Sequence, residues 1–200
     1  MLNITNRISL SKESKIIVRK FWKKSNGVLD SKSWSKIGNS VKQEFSYKLL
    51  VNQKLKCAYC QRRLVGLGHE MDHFAHKANY PRFSFNPVNL FYSCKFCNSA
   101  GRKGQKNTVA NPSNRYNQIE FSILHPYFDN VDAELIYSDD DRVDFAWGLC
   151  SDIAKDTIEF FNFDDSIMTY FRAKVVSKER LEPFTTIEEE EFIQMMIAYR

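Results

Sequence analysis

Two Cys-x-x-Cys pairs, Cys57-Ala-Tyr-Cys60 and Cys94-Lys-Phe-Cys97, constrain this chain more than any other feature. Four thiolates in that pattern make a closed tetrahedral site, the ligand set of a structural zinc. The gap from 61 to 93 leaves room for a strand, a loop and a second strand. A fifth cysteine, Cys150, stands apart and reads as a small buried hydrophobe. Cysteines grouped for metal rather than for disulfides point to a reducing, cytoplasmic setting. The start, Met1-Leu-Asn-Ile-Thr-Asn-Arg7, has no apolar core of a signal peptide, and no apolar run approaches a membrane span.

Between and after the knuckles stand Glu70-Met-Asp72-His73-Phe74, Asn89-Leu90, Ser93-Cys94 and Cys97-Asn98. This set resembles the zinc-clamped branch of the HNH (ββα-metal) nucleases. Its phrasing is similar to the HNH nuclease subunits of Septu-type and retron-type antiphage systems. Leu124-His-Pro-Tyr-Phe-Asp129 and Ala154-Lys-Asp-Thr-Ile158 look similar as well. The resemblance implies a metal-dependent endonuclease that works with an ATPase partner and, in a retron, with its RNA and DNA. It implies a structural zinc on Cys57, Cys60, Cys94 and Cys97. It implies His73 as general base, since an imidazole takes up a proton near neutral pH. Asp72 and the amide oxygen of Asn98 become hard ligands, which suit Mg²⁺ or Mn²⁺ rather than a second zinc. The metal would sit on the scissile phosphate and assist the leaving oxygen. Asn89 matches the middle residue of the motif, which positions the loop bearing the histidine. His69 and His76 lie off the matched positions and read as structural, and the distant His125 reads as a residue of a turn-rich junction.

Charge supports a polyanionic substrate. Through Ala110 the chain has 21 Lys+Arg against 5 Asp+Glu, and from Asn111 it has 8 against 19. Most charge blocks are solvated faces, but this basic block holds the motif. Lys77 and Arg82, with Arg102 and Lys103 of the glycine-bearing loop 101–104, are the expected phosphate contacts. The acidic part would repel nucleic acid and reads as a surface for a protein partner or for the basic part.

The expected fold class is α+β: a ββα-metal core with the four-Cys zinc site, flanked by mainly helical segments. The segments are a basic helical 1–53, a zinc-clamped core 54–112 and an acidic, mostly helical 113–200. Ile17/Phe21 and Val18/Trp22 predict a helix over 11–24, with a strand as the alternative for its β-branched run. Trp34, Ile37, Val41, Phe45 and Leu49 predict a second, interrupted at Gly38 and restarted by a Ser40/Gln43 capping box. Asp72 and His73 would face opposite sides of a regular strand, so the strand must end or bulge there to serve one site. A second strand is expected at 89–93, and a helix from about Lys95 with Asn98 on its first turn. Short strands are expected at 134–137 and 142–147. Ser151 reads as the N-cap of a helix to about Phe161, and Asp164-Asp-Ser166 as the start of another to about Lys178. Thr186 and Glu189 make a capping box for a last helix whose Ile193, Met196 and Ile197 face a core.

A competing reading is a non-catalytic zinc module that binds nucleic acid; it has no need of Asp72, His73, Asn89 and Asn98 together. A zinc deaminase would need His-x-Glu and a proline before the second knuckle. Here His69 and Glu70 are adjacent and Ser93 precedes Cys94. The triplet 139–141 lacks the glycine and distal glutamate of a calcium loop.

Overall fold

The computed structural model describes residues 1–66 and 68–181. The capping box at Thr186 and the apolar stripe after it lie outside the described residues.

Helix α1 (Lys12–Lys24) begins where Ser11 Oγ accepts the Ser14 N–H. A short α2 (Ser33–Lys36) ends as Ile37 turns extended. Gly38 then caps α3 (Asn39–Asn52), with no side-chain bond at that cap. The break at Gly38 is therefore present, and the Ser40/Gln43 box is not what restarts the helix. Val41, Phe45 and Leu49 of α3 are fully buried. Burying each such side chain contributes about 1.5–3 kcal/mol. The Glu44 carboxylate accepts from Ser11 and pairs with Lys48 at 2.7 Å, which ties the start of α1 to α3.

Strands β1 (His69–His73) and β2 (Leu90–Cys94) form an antiparallel pair, with Met71 opposite Tyr92 and His73 opposite Leu90. The helix α3 packs on β2. Gln53 at its end reads the strand directly: its amide accepts the Tyr92 N–H and donates to the Tyr92 carbonyl. The chain start closes over the first knuckle, where Leu2 N–H bonds to Ala58 O and Ile4 N–H to Pro126 O.

No helix follows the second knuckle. Residues 95–104 are turns. Cys97 must bend back on the metal site, and its N–H bonds to Cys94 Sγ. Lys103 N–H then returns to Cys97 O. Gly104 has φ +45°, and a Cβ there would lie 2.9 Å from Ala100 Cα. Only glycine fits that close approach.

A small pair, β3 (Val109–Asn111) and β4 (Glu120–Phe121), joins residues on either side of position 112. The strands expected at 134–137 and 142–147 reduce to one bridge, Tyr137 with Phe145, after a short α4 (Val131–Glu134). Helix α5 (Asp152–Phe161) starts at Ser151, whose Oγ accepts the Ala154 N–H. Asn162 ends it in the left-handed region at φ +47°. Helix α6 (Ser166–Leu181) follows, with Asp165 Oδ1 accepting the Met168 N–H. One apolar core runs from Val41 and Phe45 through Tyr59, Phe74 and Phe91 to Ile158 and Phe161, so all three stretches of chain share it. No helix of the described residues is long and apolar enough to cross a membrane.

Candidate metal centre and catalytic cleft

The two knuckles meet because β2 delivers Cys94 beside the first knuckle. The backbone there is a tight reversal: Cys57 N–H bonds to Arg62 O, and Gln61 sits at φ +62°. The ligand atoms of Cys57, Cys60, Cys94 and Cys97 all lie within 4.8 Å of one another, and Cys60 Sγ is 3.8 Å from Cys94 Sγ. A tetrahedral site with Zn–S bonds of about 2.3 Å has sulfur–sulfur edges of about 3.8 Å. The four cysteines are thus placed to bind one metal ion, and the set fits structural zinc. Their surroundings pull both ways: burial raises the Cys57 thiol and its thiol neighbours raise Cys97, while backbone and guanidinium donors favour thiolate. Cys57 Sγ accepts the Cys94 N–H, and Arg62 donates to Cys60 and Cys94. Hydrogen bonds from the neighbouring thiols and the Cys97 N–H hold the Cys94 thiol well below its ordinary range. All five cysteines are free of disulfides, and Cys150 is buried with its thiol on Ile136 O.

The Asp72-His73 pair lies at the end of β1, with no bulge. Ending the strand suffices, because both residues line one open cleft of about 630 Å³ with His76, Lys77, Asn98 and Lys106. His73 is buried. Its Nε2 is 3.1 Å from Ser84 O, and the indole of Trp34 meets its ring edge-on at 5.0 Å. A carbonyl only accepts, so Nε2 carries the proton and Nδ1 is the acceptor. Burial, with Lys77 nearby, lowers the imidazole from 6.5 to about 3, so the ring is neutral.

Asp72 is held on three sides. Tyr59 Oη donates to Oδ2, and Lys103 Nζ lies 3.0 Å from Oδ1 and 2.9 Å from Oδ2. Lys103 also donates to His73 O at 2.9 Å. A carboxylate has about four lone-pair sites, so roughly one stays open toward the cleft. Asn98 Nδ2 donates to Glu70 Oε2 at 2.7 Å, which leaves the amide oxygen as its ligand atom. One oxygen each from Asp72 and Asn98 fits a hard divalent ion that keeps waters and phosphate in its other positions. The ammonium of Lys103 on the same carboxylate opposes that ion.

Asn89 is fully buried and fastens the loop after His73. Its Oδ1 accepts from Ala75 N–H at 2.7 Å, and its Nδ2 donates to Ala75 O and Phe83 O. Behind it stands a chain that sequence reading missed. Tyr127 N–H donates to His125 Nδ1, His125 Nε2 meets Tyr116 Oη, and Tyr116 Oη donates to Asn89 Oδ1. His125 is no mere junction residue but braces the loop from below. The Leu-His-Pro-Tyr string was the available signal.

The expected phosphate contacts divide. Lys77 is in the cleft. Arg82 is exposed and donates to Asn114. Arg102 and Lys103 are buried, 6 % and 0 % exposed, so neither offers its charge to a polymer outside. Arg102 donates to Phe161 O, Asn162 O and Asp165. The loop 101–104 turns inward because its two cations have carbonyl and carboxylate acceptors waiting inside. Tyr59, Phe74, Phe83 and Phe85 are buried in the core.

No family model matches the chain. Over 81 residues the chain is 38 % identical to protein ea31 of Escherichia phage lambda. That stretch covers 40 % of this chain and 24 % of the phage protein, so the chain matches about a quarter of that relative's length.

Proposed function

We propose that this chain is a metal-dependent endonuclease of the HNH kind that hydrolyses phosphodiester bonds in nucleic acid. The observation that carries the reading is the shared cleft of Asp72, His73 and Asn98 on a hairpin clamped by four cysteines. His73 takes the proton of the attacking water at Nδ1, while Ser84 O holds Nε2–H and fixes the tautomer. The buried imidazole is a weak base because of burial and the nearby cations. A phosphate anion in the cleft counters Lys77 and lifts the ring toward the working range. Asp72 and Asn98 would hold Mg²⁺ or Mn²⁺, which supplies charge stabilisation at the phosphate. Asn89, through Ala75 and Phe83, keeps the loop that places Ser84 against the ring. Membership of an antiphage system, with an ATPase partner, rests on the resemblance of the motif alone.

A second reading, a zinc module that binds nucleic acid without cutting it, is favoured by one observation. Lys103 and Tyr59 already occupy most of the Asp72 carboxylate, as they would if its role were structural. The assay that separates the two uses plasmid, single-stranded DNA and RNA. Each is incubated with Mg²⁺ or Mn²⁺, with chelator, and beside a His73→Ala protein of equal zinc content. Metal-dependent cleavage lost in the variant is the expected result. Cleavage that persists in the zinc-loaded variant would remove His73 from the mechanism. Binding without cleavage on any substrate would leave the second reading.

A further inference from the structure

Helix α1 has a face that its fold does not explain. At 3.6 residues per turn, Ser14, Val18 and Phe21 point one way and Lys12, Arg19 and Lys23 the other. Ser14 is buried, and Val18 and Phe21 pack on the core. Phe21 meets Phe85 edge-on at 5.7 Å, and Phe85 leans on Trp34, the ring against His73. The opposite face is exposed and has Lys12, Lys15, Arg19, Lys20, Lys23 and Lys24. Lys15 bonds to Ser9 Oγ; the other five side chains make no ion pair or hydrogen bond among the described residues.

These cations repel one another. Lys15/Arg19, Arg19/Lys23 and Lys20/Lys24 are like-charge pairs at i,i+4, and Lys12/Lys15 and Lys20/Lys23 at i,i+3. Each such pair costs a helix about 0.2–0.5 kcal/mol. Glu13, the one acid of the helix, faces isoleucines at i+3 and i+4 and relieves none of them. A face that weakens its own helix and packs on nothing described is built for an outside charge.

The geometry points to this face of α1 as a binding surface for the phosphate backbone of nucleic acid, outside the cleft. The inference rests on the nuclease reading for its choice of polymer and adds where that polymer is held. From Lys12 to Lys23 the helix rises about 16 Å, and one strand of duplex DNA has about one charge per 3.4 Å of axis, about five over that length, which the stripe's cations match in number. A membrane surface is the poorer fit. Among the cations the outer face has Ile16, 52 % exposed, with Ile17, 37 % exposed, at its edge, and these make no broad apolar sector to enter a bilayer.

The test measures binding, not cutting. A zinc-loaded His73→Ala chain, without added divalent metal, is titrated with a labelled 24-base-pair DNA duplex across a salt series. A second protein adds Lys12→Gln, Arg19→Gln, Lys20→Gln and Lys23→Gln. Glutamine keeps helix propensity and removes repulsion, so this variant folds at least as well, which circular dichroism checks. A control adds Lys36→Gln and Lys155→Gln, two lysines already facing Asp30 and Asp152. The slope of log K against log salt is expected to fall by about 3 to 4 in the α1 variant, with affinity down roughly tenfold or more at 0.1 M salt. The control is expected to keep the slope. An unchanged slope in the α1 variant overturns the inference, even if the native chain cuts DNA. Binding by α1 to vesicles of anionic lipid, with none to the duplex, overturns it as well. If the native chain binds through α1 but cleaves nothing with Mg²⁺ or Mn²⁺, the inference stands and the nuclease reading falls.

Discussion

The Lys103 ammonium lies within 3.0 Å of both oxygens of Asp72, and both residues are buried. Lys103 also holds His73 O, and its own N–H is fixed on Cys97 O. The zinc knuckle, the glycine-bearing loop and the Asp-His pair are therefore one mechanical unit. Replacing Lys103 with Met leaves a buried carboxylate without its cation. Breaking a buried pair from one side costs about 3–5 kcal/mol. Urea unfolding should show a loss in that range for Lys103→Met, and a clearly smaller loss for Lys103→Met combined with Asp72→Asn. Equal losses in the single and double variants would mean that the pair is not what Lys103 stabilises.

The metal centre gives the second prediction. Cys94 lies in β2, and the other three cysteines sit in irregular backbone held by a few hydrogen bonds that a metal would tie to the strand, so the site and the hairpin should fail together. The purified chain should hold stoichiometric zinc by elemental analysis. Cys97→Ser should hold none and lose its cooperative thermal transition. Structural zinc contributes about 10–16 kcal/mol in small metal-organised peptides, far more than one core contact. A variant that melts like the native chain without zinc would show that the core, not the metal, sets this region.

How much of this was legible in the sequence follows from what each residue needed. The knuckles, the two flanking strands and the cap at Ser151 are local patterns with local causes, and they stand where the spacing put them. The loop 95–104 failed because a helix was expected from position alone, while glycines and a buried lysine decide its path. Arg102 and Lys103 read as surface cations because sequence shows charge and not acceptors. Their partners lie at Asp165 and Asp72, far away along the chain. Likewise His125 is joined to Asn89 through Tyr116, three residues that no short window contains.

That His125 chain gives a pH prediction. Burial lowers the imidazole from 6.5 to about 3, so the folded protein keeps it neutral. The unfolded chain binds the proton first as pH falls. The stability this group secures is full above pH 6.5 and declines toward pH 3, by about 1.4 kcal/mol per pH unit at most. Zinc thiolates and other groups titrate over the same range, so the comparison must be with His125→Gln. The native chain should lose stability more steeply than the variant between pH 6 and 4, by about one proton's worth of slope. Parallel curves would mean that His125 is charged, or solvated, in the folded state.

Arg102 supplies the last test, because two roles for it predict opposite results. Its guanidinium donates to the carbonyls of Phe161 and Asn162, at the C-terminus of α5, and to Asp165, which caps α6. It also lies over the Phe96 ring of the second knuckle, 4.5 Å from its centre. A cation there satisfies carbonyls that the helix leaves open and favours the negative end of its dipole. Arg102→Gln should therefore cost about 2–4 kcal/mol, from lost charged hydrogen bonds and a carboxylate left without its partner. Hydrogen exchange should rise at the α5–α6 junction before it rises in β1 or β2. The salt dependence of nucleic-acid binding should stay the same, since the side chain does not reach the surface. A phosphate contact would behave the other way, with stability intact and the salt slope reduced by about one.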